Sequence, residues 1–479
     1  MITYPTLIQG GMGVAVSNYR LARAVSKSGQ LGVVSGTMLD TVLARRLQDG
    51  DPDGSMRRAI SAFPINDISE RVLRDYFIEG GKEKSASYKP VPMHSMKSSR
   101  SLVELTILAN FVEVFLAKEG HGGVVGINYL TKIELPTLPS LFGAMLAGVD
   151  YVLMGAGIPK AIPGILDCLS EKKPVSLKID VQGSSTDESY VLEFDPAHFP
   201  IEQASLKRPK FLAIVSSSVL AQSLSKKSSG KVDGFVVEHH CAGGHNAPPR
   251  GGIKLDEKGE PIYGPKDEID PESFRKLGLP FWLAGGYGTS EGLQKALDAG
   301  AQGVQVGSLF AFCDESGITA EIKKTVIKLV KEGDPSVFTD PLASASRYPF
   351  KVVPVESSFS DEQIYLSRER VCDLGYLREA YKKEDGSVAF RCSGEPVGTY
   401  VRKGGAVEDT CGKKCLCNAL MSTVGLPQVQ HDGYVEPPLV TAGDYLGEIA
   451  KIVGESRDSY TVQDVLNFLF EREKVPHAV

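Results

Sequence analysis

Phe281–Ser308 reads FWLAGGYGTSEGLQKALDAGAQGVQVGS. A short apolar run, Phe281–Gly285, breaks at a cluster of glycines. A helical pattern, Ser290–Ala299, follows it, and a second apolar run, Gly303–Gly307, ends again in glycine and serine. Neither run alternates apolar with polar residues. That is the pattern of parallel strands buried on both faces, and the helix between them is the crossover such strands need.

The same unit recurs towards the N-terminus. Strand-like runs fall at Thr6–Gly10, Leu31–Gly36, Val124–Leu130, Tyr151–Gly155, Phe211–Ser217 and Gly234–His239, which with the two above makes eight. Helical patterns follow several of them, at Tyr19–Ser28, Leu138–Leu146, Val219–Lys227 and Ala320–Lys331. Eight βα units predict a closed TIM-type (β/α)8 barrel rather than an open doubly wound sheet.

Two stretches interrupt the rhythm. Residues 53–120 add helical material between the second and third strands, with a long helix expected over Ser101–Lys118. Residues 174–210 carry two strand-like runs, Val175–Asp180 and Tyr190–Phe194, around a polar turn. These read as an inserted hairpin, the alternative being that Val175–Asp180 is itself a barrel strand. After about residue 334 the βα alternation stops. The expected organisation is therefore a barrel over 1–333, with insertions at about 53–120 and 174–210, and a C-terminal extension over 334–479 ending in a helix at Val462–Arg472.

The chain has 479 residues, 42% of them hydrophobic and 23% charged, enough for a large buried core. Its net charge of −6 argues against a nucleic-acid partner, since neutralising phosphates needs an excess of Lys and Arg. No apolar run approaches the length of a membrane span, and Met1 leads straight into Pro5-Thr6-Leu7 without a signal-like segment. The expectation is a cytoplasmic enzyme.

In such barrels ligands bind at the C-terminal rim, and the loops after strands seven and eight often hold a phosphate. Here those loops are Ala284-Gly285-Gly286-Tyr287-Gly288 and Gln305-Val306-Gly307-Ser308. Glycines let backbone N–H groups close around an anion, and the helix that follows adds its dipole. Either turn alone is weak evidence; two in succession predict the phosphate of a nucleotide-type cofactor. Gln9-Gly10-Gly11-Met12 ends the first strand and fits a backbone lying against a planar ligand, or a flexible turn with a core Met. Gly36 and Thr37 end the second. Asn128 is a polar residue inside the apolar third strand and needs a partner when buried.

The sixth strand runs into His239-His240-Cys241-Ala242-Gly243-Gly244-His245. His245 follows two glycines that leave room for a ring system, and histidine is the side chain most easily poised as a base near neutral pH. His239, His240, Cys241 and His245 could ligate a metal by residue type. However, His239 and His240 would face opposite ways on a strand, so no metal is expected here.

With these motifs in order, the chain resembles the nitronate monooxygenase family, formerly 2-nitropropane dioxygenases, and the related FMN-containing enoyl-acyl-carrier-protein reductases of the second type. The matching pieces are Ile8-Gln9-Gly10-Gly11-Met12, Ala24–Gly32, Met154-Gly155-Ala156-Gly157-Ile158-Pro159, Ala242-Gly243-Gly244-His245, Ala284-Gly285-Gly286 and Val304-Gln305-Val306-Gly307-Ser308. The similarity covers roughly residues 5–310 and reaches towards Pro349-Phe350-Lys351. It implies FMN as cofactor and His245 as catalytic base. It also implies that Gln9 to Met12, Asn128, Gly243, Gly244, Gly285, Gly286, Gly307 and Ser308 line the flavin. Gly36, Thr37, Gly155, Ala156 and Gln305 complete the candidate cofactor set.

The insertions and the extension lie outside that compact core and could rebuild the substrate mouth. The resemblance implies oxidation of nitronates or nitroalkanes with oxygen. A reductase passing NAD(P)H hydride to an enoyl thioester is the alternative, and a non-catalytic flavin protein whose cysteine module binds a partner or metal is a third reading. All three imply a small-molecule ligand, no nucleic acid and no membrane, and are compatible with a homo-oligomer. Five of the eight cysteines, Cys372, Cys392, Cys411, Cys415 and Cys417, fall in one short stretch. They supply enough thiolates for a four-cysteine site, but the spacing matches neither zinc knuckles nor ordinary iron–sulfur runs. Buried, reduced cysteines are the favoured reading.

Overall fold

The computed structural model describes residues 4–202, 205–333 and 335–470. Its centre is a parallel sheet of eight strands: β1 Leu7–Gln9, β2 Gly32–Ser35, β3 Val125–Leu130, β4 Tyr151–Gly155, β5 Lys210–Val215, β6 Gly234–Glu238, β7 Phe281–Ala284 and β8 Gly303–Val306. The hydrogen-bonded order runs β1-β8-β7-β6-β5-β4-β3-β2. β1 then meets β2 through the parallel bridge Ile8–Leu31, with Gln9 N–H donating to Leu31 O and Leu31 N–H to Leu7 O, each at 3.0 Å. The sheet is a closed barrel.

Side chains alternate in and out along each strand, as the pleat requires. Ile8, Leu31, Val33, Leu153, Leu212, Val236 and Trp282 pack together as the barrel interior. Their neighbours Leu7, Val34, Val152, Phe211, Phe235 and Leu283 join the layer of helices outside. Trp282 fills the interior completely buried and donates its indole N–H to Pro5 O at 2.8 Å. Caps fix where the outer helices begin: Asn18, Ser217, Thr289 and Thr319 each accept a backbone N–H from the first turn with the side-chain oxygen.

The stretch Val175–Ile179 pairs antiparallel with Tyr190–Phe194 and joins no barrel strand, so it is the inserted hairpin. The adjoining Val181–Gln182 instead pairs with Ala380–Tyr381, tying this insertion to the C-terminal region. Arg100–Lys118 packs against Tyr19–Lys27, Leu39–Gln48 and Thr137–Leu146, in the helical layer around the barrel. The final helix runs Val462–Phe470; Glu471 and Arg472 lie outside the described residues, as does Asp334 at the expected start of the extension. Among the described residues no helix is long and apolar enough to cross a membrane.

Candidate active site

A cavity of about 240 Å³ opens at the C-terminal ends of the barrel strands. The loops after β1, β6, β7 and β8 form its wall. All the candidate cofactor residues except Gln9 and Gly36 line it, and so does His245. Gln9 is placed differently for a clear reason. It is fully buried and stitches the barrel seam: its Oε1 accepts from Val33 N–H at 3.0 Å, and its Nε2 donates to Ser17 Oγ at 2.8 Å. Gly36 lies against the ring of Tyr129, where an added Cβ would come within 2.3 Å of Cε1. Its lack of a side chain serves packing, and it faces a neighbouring hollow with Asp40 and Thr137 instead.

Two polar amides face the cavity. Asn128 lies at its wall, and Gln305 Oε1 is buried there without a hydrogen-bond partner among the described residues. An unpaired buried acceptor costs free energy unless a ligand supplies the donor. Ser308 opens the short helix Ser308–Ala311, so the first N–H groups of that turn have no intrahelical acceptor and are available at the rim.

His245 Nε2 lies 2.7 Å from Ser344 Oγ, which in turn is 2.7 Å from Ser346 Oγ. With Nε2–H donating to Ser344, the lone pair of Nδ1 is the one left to take a proton. Phe350 packs edge-on to the imidazole at 4.9 Å, and backbone pairing of residues 244–246 with 349–351 holds the loop in place. Burial pushes the imidazole pKa down to about 4, so the ring is neutral near pH 7.

Glu238, at the end of β6, also lines the cavity, and burial pushes its carboxyl from 4.5 up to about 7. A folded-state pKa above the unfolded one means that the native protein binds the extra proton between those values. Stability is then full below pH 4.5 and lost as pH rises through 7. Glu238→Gln, which imitates the protonated form, is expected to raise Tm at pH 8 by about 2–4 °C and to leave it unchanged at pH 4. Thermal melts of both proteins at the two pH values check this.

The remaining wall was not legible in the sequence. Residues 439–445 cross the barrel mouth as a strap: Gly443 N–H donates to Ser308 Oγ at 2.7 Å, Gly244 N–H to Thr441 Oγ1 at 3.0 Å, and Asp444 N–H to Cys241 O at 3.0 Å. The buried Lys351 anchors the strap through Asp444 at 2.6 Å. Gly243 and Gly443 approach so closely that a Cβ on Gly243 would lie 2.9 Å from Gly443 N. Leu420, Leu439, Thr441 and Tyr445 complete the cavity from this side. The only available signal was the small-residue run Thr441-Ala442-Gly443, which by itself is common in turns.

His239, His240 and Cys241 are also brought together, with possible ligand atoms within 4.8 Å of one another. The opposite-face argument fails because β6 ends at Glu238. The two imidazoles lie beyond the strand, 4.0 Å apart, and His240 stacks on Tyr263 at 4.1 Å.

Residues 176–345, which hold β5 to β8, His245 and Ser344, match the family model for nitronate monooxygenase. Over that stretch the chain is similar to the nitronate monooxygenase family. It is 33% identical over 134 residues to a probable nitronate monooxygenase of Bacillus subtilis, covering 28% of this chain and 36% of the relative. It is 30% identical over 152 residues to one of Staphylococcus haemolyticus, covering 32% and 40%. The match thus spans little more than a third of each of these nitronate monooxygenase relatives. Among solved structures, FabK from Thermotoga maritima aligns over 98% of this chain and 93% of its own, at 15% identity and a TM-score of 0.46.

Proposed function

We propose that the cavity binds FMN and that the protein is an FMN-dependent oxidoreductase acting on nitronates or nitroalkanes with oxygen. One observation carries this reading: a neutral histidine, oriented by a serine, faces a glycine-walled cavity that also holds an unpaired amide oxygen. Bound flavin would supply two-electron redox chemistry. Gln305 would accept from a ring N–H and Asn128 would bond the ring edge. Gly285, Gly286, Gly307 and Ser308 would present backbone N–H groups to the phosphate. His245 Nδ1 would take the proton from a nitroalkane carbon, and the strap at 439–445 would keep water out. On this reading residues 1–333 are the flavin-binding barrel, and 334–479 are an extension that supplies Ser344 and the strap.

The protein is expected to purify yellow and to release FMN, not FAD, on acid treatment. The paired turns offer one phosphate site with no dinucleotide fingerprint beside it. Stoichiometric FAD, or a colourless protein that FMN does not reconstitute, would overturn the assignment. Anaerobic bleaching of the bound flavin by a nitronate tests the substrate class. The apolar wall of Leu420, Leu439 and Phe350 equally suits an acyl chain. Oxidation of NAD(P)H that depends on an enoyl thioester, with no nitronate turnover, would decide for the reductase reading.

A further inference from the structure

Strand β6 ends at Glu238, and the residues that follow turn His239, His240 and Cys241 towards one another. His239 Nδ1 lies 3.0 Å from Cys241 Sγ, and His240 Nδ1 lies 4.0 Å from the same sulfur. Possible ligand atoms of all three residues fall within 4.8 Å of one another. Among the described residues no other group of His, Cys, Asp and Glu side chains meets that limit. All three residues are partly buried.

The distances suit one metal ion. Tetrahedral zinc, with Zn–S of about 2.3 Å and Zn–N of about 2.0 Å, holds sulfur and nitrogen about 3.5 Å apart. The two separations from Cys241 Sγ bracket that length. An outer partner is in place as well. His239 Nε2 lies 3.3 Å from Glu268 Oε2, so Nε2–H donates to the carboxylate and the Nδ1 lone pair faces Cys241. Metal-binding histidines are fixed in tautomer and orientation by such a carboxylate. Cys241 N–H approaches the same Nδ1 only at 3.4 Å, too far to hold that lone pair firmly. His240 sits between the rings of His239, at 4.0 Å, and Tyr263, at 4.1 Å, which fixes its plane. Burial pushes the Cys241 thiol up to about 11, so it keeps its proton until a cation displaces it, as coordinating thiols do.

We propose that His239, His240 and Cys241 bind one zinc ion, with the fourth position left to water. Two histidines and a cysteine suit borderline-soft zinc, whereas magnesium and calcium take oxygen ligands. A hollow of about 60 Å³, lined by Glu238, His239, His240 and Tyr263 among others, gives that water room. Cys241 also lines the larger cavity, and its carbonyl accepts Asp444 N–H from the strap. An ion held here fixes the start of the loop that carries His245, at the point where the strap crosses it. Its role is to position that loop.

The test uses the full chain, stripped with a chelator under reducing conditions, dialysed against zinc and counted by atomic emission. The thiols of the extension could also take up zinc, so the reading is the difference between parent and variants. His239→Ala and Cys241→Ala are each expected to hold one zinc fewer per chain than the parent. Glu268→Gln keeps all three ligands, and Glu268 is largely exposed, so the fold should be untouched. Loss of the carboxylate should weaken that zinc by about 10–100-fold in competition with a chromophoric chelator. Neither measurement depends on which cofactor the barrel holds. Equal zinc in the parent and both ligand variants would overturn the proposal, as would a parent that keeps no zinc through dialysis. Should the ligand variants fail to fold, Glu268→Gln decides alone, and undiminished affinity there would overturn the proposal.

Discussion

Replacing His245 with alanine is expected to leave the flavin bound and to slow turnover of neutral nitroalkanes by about 10²–10⁴-fold, the usual worth of a positioned base. Pre-ionised nitronates have already lost the proton and should keep most of their rate. The contrast separates proton transfer from packing, because damage to the cavity would slow both substrates alike. Steady-state kinetics on a nitroalkane and its nitronate, with flavin content measured in parallel, gives the answer. Equal rates for mutant and parent on the neutral substrate would remove His245 from the chemistry. The pH profile adds a second reading. With the imidazole held down to about 4 by burial, kcat/KM for the nitroalkane should stay level from pH 8 down to about 5 and fall only below that. Ser344→Ala should move that acid limb while leaving nitronate turnover intact, as befits a residue that positions the ring.

Gly307→Val is expected to abolish FMN binding while the barrel stays folded. Gly307 has an ordinary φ of −108°, and an added Cβ would rest 3.4 Å from Met12 Sδ, so the backbone and its neighbours tolerate it. The branched side chain would instead stand where the phosphate is proposed to approach the helix at Ser308. Gly286 is a poorer place for this test. Its φ is +83°, and a Cβ there would lie 3.0 Å from the Tyr445 ring, so Gly286→Val strains the backbone and the strap together. A colourless Gly307→Val protein with the far-UV circular dichroism of the parent supports the phosphate site. Full FMN occupancy would place the phosphate elsewhere.

The strands were legible because a parallel barrel strand is buried on both faces and must be apolar throughout, so each left a compact signature such as Phe281–Ala284 or Gly234–Glu238. Rim glycines were legible for a related reason, since they end those runs. Where glycine serves two purposes the signal is ambiguous. Gly36 makes room for Tyr129 and Gly243 for the strap, and neither contact has a local sequence mark. Gln9 looked like a ligand because it adjoins Gly10 and Gly11, yet its side chain accepts from Val33 N–H across the barrel seam.

The sequence by itself therefore determined the eight βα units and the rim positions of His245, Gly307 and Ser308, whereas the pairing of Val175–Ile179 with Tyr190–Phe194 and not with a barrel strand was decided by the structure. The units and the rim positions follow from periodicity and turn chemistry, which act over a few residues. Only the tertiary structure decided that Ser344 orients His245 and that residues 439–445 roof the cavity. Those contacts join residues far apart in the chain, from Ser344 meeting His245 to Gly443 meeting Ser308. They depend on how the extension packs on the barrel as a whole, and no local pattern encodes which distant surface a loop will cover.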